Sequence, residues 1–459
     1  MTTLPSVFRN KVFVVLGLFI IIVLGALGYL FFQNQEQPLG KPQVPAPKLE
    51  ASQVNPNGTQ GSVTVWAWNT AADALQLVVP AFNKVYPNIK VNIVKIPYNE
   101  ANDRFRVAIA NKTGFPDVWD TEGPVTLGYI QSGSLTDITD IANKYLKDFV
   151  PYKWTEVMKD NHIYALPWDS APVGLFYRRD LFEKAGIDPN TLTTWDAYIA
   201  AGQKFMKVMN PAGKPTQYMT LMSTQSDVGD WWQMFISQYG GTIFNDKGNP
   251  VLNSSESVQS VTLMKKILDS GIAANIGWWT PEFFDAIKSG KIASFAQGVW
   301  MGGQIKQTAP NLSGKWGVVP IPAVTDGGVR SAVRGGSNLA IPSLSTNKDA
   351  AWKFIEFALA NKTSQLTMYK QFDIFPALLT AYDDPVFNEP NTYFGNENTS
   401  RLFIEAQKNI PLTFHYGAND SEIINLGGTE IVQALSGTKA IQQALNDAQL
   451  KAVNLFKSQ

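Results

Sequence analysis

The sequence has no cysteine and only two histidines, and these absences argue against several kinds of chemistry. Without cysteine there are no disulfides, no thiolate metal ligands and no cysteine nucleophiles. His162 and His415 alone argue against a histidine-rich metal site or a histidine relay. An excess of charge is also lacking, because 38 Lys and Arg residues balance 38 Asp and Glu residues. No global field therefore attracts nucleic acid or anionic lipid.

Motifs for phosphate or nucleotide binding are lacking as well. The sequence contains no phosphate-binding loop and no complete dinucleotide fingerprint. The segment 245–250 carries oxygen ligands but lacks the spacing and the terminal Glu of a calcium loop, so we interpret it as a turn. We therefore expect neither a cofactor nor a metal.

Tryptophan, in contrast, is abundant, with 13 residues in the chain. Its large apolar face and single N–H group suit stacking on the C–H faces of a sugar ring. Most buried aromatic side chains serve a hydrophobic core, so each Trp also has this simpler interpretation. Trp352 is predicted to be such a core residue, because it shares one face of a helix capped by Asn347 with Ile355 and Leu359.

The N-terminal segment resembles a membrane anchor. Arg9 and Lys11 precede Val12–Phe32, an uncharged stretch long enough to cross a bilayer. The positive flank predicts that the remainder of the chain lies outside the cytoplasm. A cleaved signal peptide is the alternative, but the stretch is long for one and has no clear cleavage site. We expect an uncleaved anchor at 1–32, followed by a disordered Pro-rich tether at 33–61.

The folded part of the chain begins as an α/β pattern. A chain of 459 residues is too long for one core and long enough for two lobes. Strands predicted at 62–69, 90–98 and 116–119 alternate with two helices, which is typical of a doubly wound sheet. Asp120 and Glu122 follow the third strand and are expected at the same sheet edge as Trp66 and Trp68.

The segment Ile163–Ala185 links two parts of the fold. An apolar run ends at Pro167, Trp168 and Asp169 follow it, and a second apolar run resumes at Gly174. Such a segment can leave one sheet and enter another, and its prolines favour display of the Trp-Asp pair at a strand end.

These segments, in their order, resemble the extracellular solute-binding proteins of ABC sugar importers (family 1, similar to maltose- and oligosaccharide-binding proteins). The motifs that carry the resemblance are VTVWAW, YPNIKV, FPDVW, LPWDSAPVGLFYRRDLFEKAGI, SGKIASFAQGVWMGG, KWGVVPIPA and RGGSNLAIPSL. The resemblance implies a type II periplasmic-binding-protein fold, with two lobes that each contain a mixed sheet flanked by helices and a ligand cleft between them. It assigns 62–171 and 316–360 to the N-lobe, and 172–315 and 361–459 to the C-lobe. Lys315–Pro320 would be the crossing back into the N-lobe.

The resemblance also implies a function. The protein would be a monomer, tethered at the cell membrane with its binding domain extracellular or periplasmic. It would capture a sugar or oligosaccharide by hinge closure and deliver it to the permease subunits of an ABC importer. Aromatic side chains would stack on the sugar and acids would accept hydrogen bonds from hydroxyls. The predicted ligand-binding residues are, in order of preference, Trp168, Asp169, Trp232, Trp300, Trp66, Asp120, Trp68, Trp231, Trp278 and Gly336.

Two alternatives remain open on the sequence alone. Asp120, Glu122 and Asp169 could include the carboxylate pair of a secreted glycoside hydrolase, since that reaction needs only two acids at the right separation. A binding protein for another solute, such as a peptide or a polyamine, is the second alternative. The resemblance favours a sugar-binding protein without enzymatic activity.

Overall fold

The protein is described by a computed structural model, which covers residues 60–224, 228–245, 248–411, 417 and 420–457. The predicted anchor, nearly all of the predicted tether and His415 lie outside these residues. Among the described residues, no helix is both long enough and apolar enough to cross a membrane.

The first sheet contains the strands predicted at the start of the folded part. Its described strands lie in the order Ile89–Ile96, Gly61–Trp68, Val118–Glu122, Ser337–Ala340 and Ala165–Pro167. The first three run parallel, and helices Asn69–Val85 and Tyr98–Ala110 connect them. The doubly wound pattern is therefore confirmed. The third strand starts later than predicted and includes Asp120 and Glu122, which were expected just beyond its end.

The predicted change of sheet along Ile163–Ala185 is confirmed. Ala165–Pro167 pairs with Ser337–Ala340 in the first sheet. Val173–Arg178 is the central strand of a second sheet, between Ser294–Gly298 and Trp316–Pro320. Both pairings in the second sheet are antiparallel.

One strand lies in a different sheet from the one predicted. The resemblance assigns residues from 316 to the N-lobe, with Lys315–Pro320 as the crossing, but the strand Trp316–Pro320 pairs with Val173–Arg178 in the second sheet. The sequence of an apolar strand does not indicate which sheet edge it will join. Here the two partners of Val173–Arg178, Ser294–Gly298 and Trp316–Pro320, are close together in the sequence. The chain therefore returns to the first sheet after Pro320, through residues 321–336.

Helices cover both sheets, and short strand pairs lie outside them. The short pairs are Met158–Lys159 with His162–Ile163, and Thr220–Leu221 with Ala273–Ala274. The other described α-helices are Gly123–Gln131, Thr139–Ala142, Trp154–Val157, Arg179–Ala185, Trp195–Met209, Val228–Gln238, Ser255–Asp269, Pro281–Ser289, Met301–Thr308, Lys348–Leu359, Lys362–Phe372, Thr399–Lys408, Asp420–Leu435 and Ile441–Lys457. Described 3-10 helices are Asn143–Tyr145, Pro151–Lys153, Pro189–Thr191, Pro310–Leu312, Leu379–Asp383, Pro385–Asn388 and Thr392–Phe394.

The two sheets have separate hydrophobic cores. Trp352, Ile355 and Leu359 are all buried in the core of the first sheet, as their helical spacing predicts. Asn347 is the N-cap residue of their helix, as predicted, but its side chain makes no capping hydrogen bond and its amide donates to Asp117 Oδ1 at 3.1 Å.

The helix at 362–372 also packs on the first core. Met368, Ala377 and Leu378 are members of this core, although the resemblance assigns 361–459 to the C-lobe. Leu127 packs against both this core and the main core of the second sheet. The two parts of the fold are therefore in direct contact.

Candidate functional site

Three chain segments cross between the two sheets side by side. Pro172 and Val333 form an antiparallel bridge, flanked by the hydrogen bonds Val173 N–H to Ala332 O and Arg334 N–H to Ala171 O, each at 2.9 Å. The third segment joins them through an antiparallel bridge between Asp169 and Pro376. Segments 168–173, 332–337 and 375–378 together are called the hinge below.

A group of buried carboxylates lies beside the hinge. Asp120 is fully buried in the third strand, and neither of its carboxylate oxygens has a well-aligned hydrogen-bond partner among the described residues. Burial, followed by the charges of Asp169 and Glu122, raises the pKa of Asp120 well above its usual range. Ser337 and the backbone of Trp68 lower this pKa, but by less. Asp120 thus presents polar oxygens that the described chain leaves unsatisfied.

Asp169 is held by the return segment of the chain. Its carboxylate accepts a hydrogen bond from the backbone N–H of Ser337. Burial raises the pKa of Asp169 to about 7, although Lys153 and the Ser337 N–H both oppose the rise. A proton therefore leaves this carboxyl near neutral pH in the folded protein.

A buried lysine offsets part of the negative charge. Lys153 is fully buried and forms an ion pair with Glu156, which also accepts a hydrogen bond from Asn338 Nδ2 at 3.0 Å. Gly336 lies directly against this pair with a φ of +106°, and a Cβ there would come 3.0 Å from Lys153 Nζ and 3.1 Å from the Asp169 carbonyl oxygen. Only glycine fits this backbone conformation without strain.

Charged groups from both lobes meet at the cleft. Arg334, in the hinge, forms an ion pair with Asp230 of the helix Val228–Gln238. Tyr98 donates to Glu122 Oε2 at 2.8 Å. Burial raises the pKa of Glu122, while Tyr98 and Arg334 lower it. Arg334 therefore lies within electrostatic reach of a carboxylate from each lobe.

A small cavity lies on the second-sheet side of Arg334. Its volume is about 10 Å³, room for about one water molecule in this arrangement of the two lobes. Its lining combines apolar and aromatic side chains with one charged pair and one amide. The lining residues are Val173, Asp230, Trp231, Met234, Trp278, Ala296, Gln297 and Arg334.

Two tryptophans form a stacked pair at the outer side of this region. The rings of Trp279 and Trp300 lie 5.4 Å apart at an interplanar angle of 26°. Trp300 donates its indole N–H to the Arg334 carbonyl oxygen at 2.8 Å, which fixes it to the hinge. Trp279 is 47% exposed, an unusual environment for so large an apolar ring.

The structure brings some of the predicted ligand-binding residues together. Asp120, Asp169 and Gly336 surround Ser337, and Trp300 joins the hinge through Arg334. Trp68 lies at the edge of this group, because its backbone approaches Asp120 and its ring contacts Tyr98 edge-on at 5.6 Å.

Other predicted residues are placed in hydrophobic cores. Trp168 is fully buried in the first core, because the hinge segments at 337 and 375–378 cover the strand end at which display was expected. Trp232 is fully buried in the main core of the second sheet, and its indole N–H donates to Ser257 Oγ at 2.8 Å. Trp66 is buried beneath Arg104, whose guanidinium lies 4.5 Å from the ring centroid. Display of these three rings to a ligand is not seen in this structure.

Trp231 and Trp278 are largely buried as well, but both line the small cavity beside Arg334. Of the two adjacent tryptophans, Trp278 was the predicted binding residue, whereas Trp279 is the exposed member. Tyr98, Asp230 and Arg334 were not among the predicted residues. A charged residue beside Gly335 and Gly336 was the one available signal for Arg334.

The arrangement suits recognition by hydrogen bonds and stacking. The described residues contain no group of three or more His, Asp or Glu side chains that could hold a metal ion. Buried acids and exposed aromatic faces beside a hinge are the groups that bind hydroxylated rings. Two lobes joined by a hinge, with such groups between them, define a solute-binding protein of the type II periplasmic fold.

The chain belongs to the family of bacterial extracellular solute-binding proteins, whose family model matches residues 67–365. The predicted resemblance is therefore confirmed, and so is the prediction of a binding protein rather than an enzyme.

Individual relatives agree with this assignment. The chain is similar to the arabinooligosaccharide-binding protein of Bacillus subtilis, with 27% identity over 72% of this chain and 76% of the relative. It is also similar to the lactose-binding protein of Rhizobium radiobacter, with 24% identity over 79% and 86% of the two chains. Among solved structures, it is similar to an ABC transporter associated binding protein of B. animalis subsp. lactis in complex with beta-1,6-galactobiose. That match has a TM-score of 0.74 and 25% identity, over 87% of this chain and 98% of that one.

Proposed function

We propose that this protein captures a sugar or oligosaccharide between its two lobes and delivers it to an ABC importer. The unsatisfied carboxylate of Asp120, buried beside the hinge, is the observation that carries the proposal. A carboxylate in this position can accept hydrogen bonds from ligand hydroxyls and so recover the cost of its burial. Two relatives are an arabinooligosaccharide-binding protein and a lactose-binding protein, and this similarity supports a carbohydrate as the solute.

The proposed site consists of groups from both lobes and from the hinge. Asp120 and Asp169 accept hydroxyl hydrogen bonds, and Trp300 stacks on a sugar ring. Gly336 lets the backbone approach the ligand closely, since it has no Cβ. Trp68, Trp231 and Trp278 complete the apolar walls. Trp66, Trp168 and Trp232 have core roles in this proposal, because they are buried and, unlike Trp231 and Trp278, do not line the cavity beside Arg334.

The proposed mechanism is closure around the hinge. We assign 62–171 and 337–378 to the first lobe and 172–320 and 379–459 to the second, with 321–336 as the return crossing. A ligand that contacts both lobes only in the closed arrangement binds that arrangement more tightly, and this difference shifts the equilibrium. The ion pair of Arg334 with Asp230 and the contacts of Leu127 support the view that the lobes meet when closed.

A ligand-panel thermal-shift experiment tests the function. The full chain is heated with arabinooligosaccharides, lactose, galactobiose, a peptide mixture or spermidine, and the melting temperature is measured at several concentrations. A concentration-dependent rise with one carbohydrate alone supports the proposal, because a ligand stabilises the state that it binds. A rise with peptides or spermidine, and none with any carbohydrate, contradicts it.

A polyamine is the alternative that the structure makes worth testing. Asp120, Glu122, Glu156 and Asp169 are carboxylates in one neighbourhood, and such a group attracts cations. Lys153 and Arg334 already neutralise part of this charge, which favours a neutral ligand. The spermidine arm of the panel distinguishes the two solutes.

We also propose that Val12–Phe32 anchors the protein in the cell membrane, with the binding domain outside the cytoplasm and monomeric. The length of this uncharged stretch supports the anchor, and the Lys and Arg residues before it support the orientation. Cell fractionation followed by N-terminal sequencing tests it. The intact chain is expected in the membrane fraction, and a soluble protein that begins near Gln33 would contradict the anchor.

A further inference from the structure

We propose that Trp279 is a specificity-determining residue that provides a stacking surface for an additional sugar ring at the outer end of the site. This inference rests on the proposed function, because it names a length preference for the same carbohydrate ligand. The proposal concerns the outward face of a single side chain and its consequence for ligand length.

The backbone at Trp279 is the first observation. Trp279 has a φ of +64°, in the left-handed region that large side chains rarely adopt. The residues on both sides hold it there. Trp278 is buried against Phe283 and Phe295, and Thr280 donates to the Gly277 carbonyl oxygen at 2.9 Å. A fold that keeps a bulky residue in a strained conformation often uses that residue at a functional site.

The exposure of the ring is the second observation. One face of Trp279 is covered by Trp300 in a nearly parallel stack, and Phe283 and Phe284 contact its ring at 6.1 and 6.2 Å. These contacts leave 47% of the residue exposed. The near-parallel stack covers one face of the indole, so the exposed part of the ring lies away from Trp300. The exposed apolar surface therefore lies on a ring that Trp300, Phe283 and Phe284 hold in place.

The stack is continuous with the proposed site. Trp300 is bonded through its indole N–H to the carbonyl of Arg334, and the side chain of Arg334 forms an ion pair with Asp230 in the cleft. A ligand that reaches Trp300 therefore has the edge of Trp279 beside it. The free face of Trp279 offers the flat apolar surface that the C–H groups of a pyranose or furanose ring prefer.

These positions lead to a prediction about ligand length. A short ligand, bound by Asp120 and Trp300, does not reach the outward face of Trp279. A longer oligosaccharide does reach it, so affinity increases with chain length until this surface is occupied. Loss of the ring should remove that increase and weaken the shortest ligand less, because that ligand meets Trp279 only through Trp300.

The test uses a series of arabinooligosaccharides with two, three and four sugar units, and a matching galactooligosaccharide series. Affinities are measured by calorimetry for the unsubstituted full chain and for Trp279→Gly, Trp279→Phe and Leu450→Ala. Glycine relieves the positive φ and so offsets part of the loss of the aromatic contacts, and the melting temperature of each variant is measured to establish that it is folded. Leu450 is an exposed apolar residue on the helix Ile441–Lys457, so its substitution is the matched control for loss of exposed apolar surface.

The expected result is a loss of about tenfold in affinity for the longest bound member in Trp279→Gly, with a smaller loss for the shortest. Trp279→Phe should recover part of the loss, and Leu450→Ala should have no effect. Equal losses at every length, or unchanged length dependence, would overturn the inference while the proposed function stands. If the unsubstituted protein binds no carbohydrate at all, the proposed function fails and the inference fails with it.

Discussion

The carboxylate of Asp169 accepts a hydrogen bond from the backbone N–H of Ser337, and this contact ties the outgoing crossing of the chain to the returning one. Asp169 is also bridged to Pro376 in the third segment. One residue therefore connects all three parts of the hinge, through its side chain to Ser337 and through its backbone to Pro376. Its protonation affects both the stability of the hinge and the charge of the adjacent site.

The first prediction concerns the dependence of stability on pH. Burial raises the pKa of Asp169 to about 7 from its usual 3.8, so the folded state holds a proton that the unfolded chain releases. This contribution to stability is complete below about pH 4 and is lost as the pH rises through 7. Asp169→Asn cannot ionise and keeps an oxygen that accepts from Ser337. Between about pH 4 and pH 8, the unfolding free energy of Asp169→Asn should therefore fall by less than that of the unsubstituted protein. The difference should be up to about 4 kcal/mol.

Urea unfolding at a series of pH values measures this effect. The exposed Asp326, in the return crossing, provides the control substitution Asp326→Asn. Its pH profile should match that of the unsubstituted protein. A profile of Asp169→Asn as steep as the unsubstituted one would show that other groups, such as Asp120, Glu122 and Glu156, control the dependence.

The second prediction concerns Gly336. An added Cβ would lie 3.0 Å from Lys153 Nζ and 3.1 Å from the Asp169 carbonyl, in addition to the strain of a φ of +106°. Gly336→Ala should therefore lower the unfolding free energy by about 2 to 4 kcal/mol. Gly327→Ala is the matched control, because Gly327 also has a positive φ of +67° but nothing lies within 4 Å of its added Cβ. It should lose only about 1 kcal/mol. Equal losses would mean that crowding at the hinge has no cost.

The third prediction concerns Trp168. The sequence favours a ligand-binding role, but the ring is fully buried in the first core, like Trp352. Trp168→Ala and Trp352→Ala should each leave a cavity and lower the unfolding free energy by roughly 3 to 5 kcal/mol. Denaturant unfolding, combined with sugar titration of the folded fraction, measures both effects. A stable Trp168→Ala variant that binds sugar more weakly would return Trp168 to the binding site.

The fourth prediction distinguishes binding from hydrolysis. If Asp120 and Asp169 accept hydroxyl hydrogen bonds, a bound oligosaccharide should be recovered intact after long incubation with stoichiometric protein. Chromatography of the ligand measures this directly. Catalytic release of reducing ends that disappears in Asp169→Asn would support a glycoside hydrolase, since that reaction requires a carboxylate pair.

The sequence predicts the parts of this fold that depend on local periodicity. Alternating residues mark the strand Gly61–Trp68, and prolines at 167 and 172 mark the change of sheet, because both signals are local. The partner of a strand is not a local property. For this reason the placement of Trp316–Pro320 in the second sheet could not be predicted from its composition.

The site was predicted less completely than the fold, for a similar reason. Residue type does not say which member of the pair Trp278 and Trp279 points inward, and the left-handed conformation of Trp279 has no signal in its residue type. Trp168 was expected to be displayed because it follows a strand, but two distant segments cover it. Burial of this kind depends on tertiary contacts that only the folded chain contains.

The position of the strand Ser337–Ala340 has a consequence for how the protein is made. This strand is inserted between Val118–Glu122 and Ala165–Pro167, which do not pair with each other. A ribosome must therefore synthesise about 340 residues before the first sheet can be completed, whereas every strand of the second sheet is available by residue 320. During synthesis and export, Val118–Glu122 and Ala165–Pro167 have unpaired backbone groups on the edges that Ser337–Ala340 later occupies. The first sheet should therefore depend more than the second on protection from aggregation.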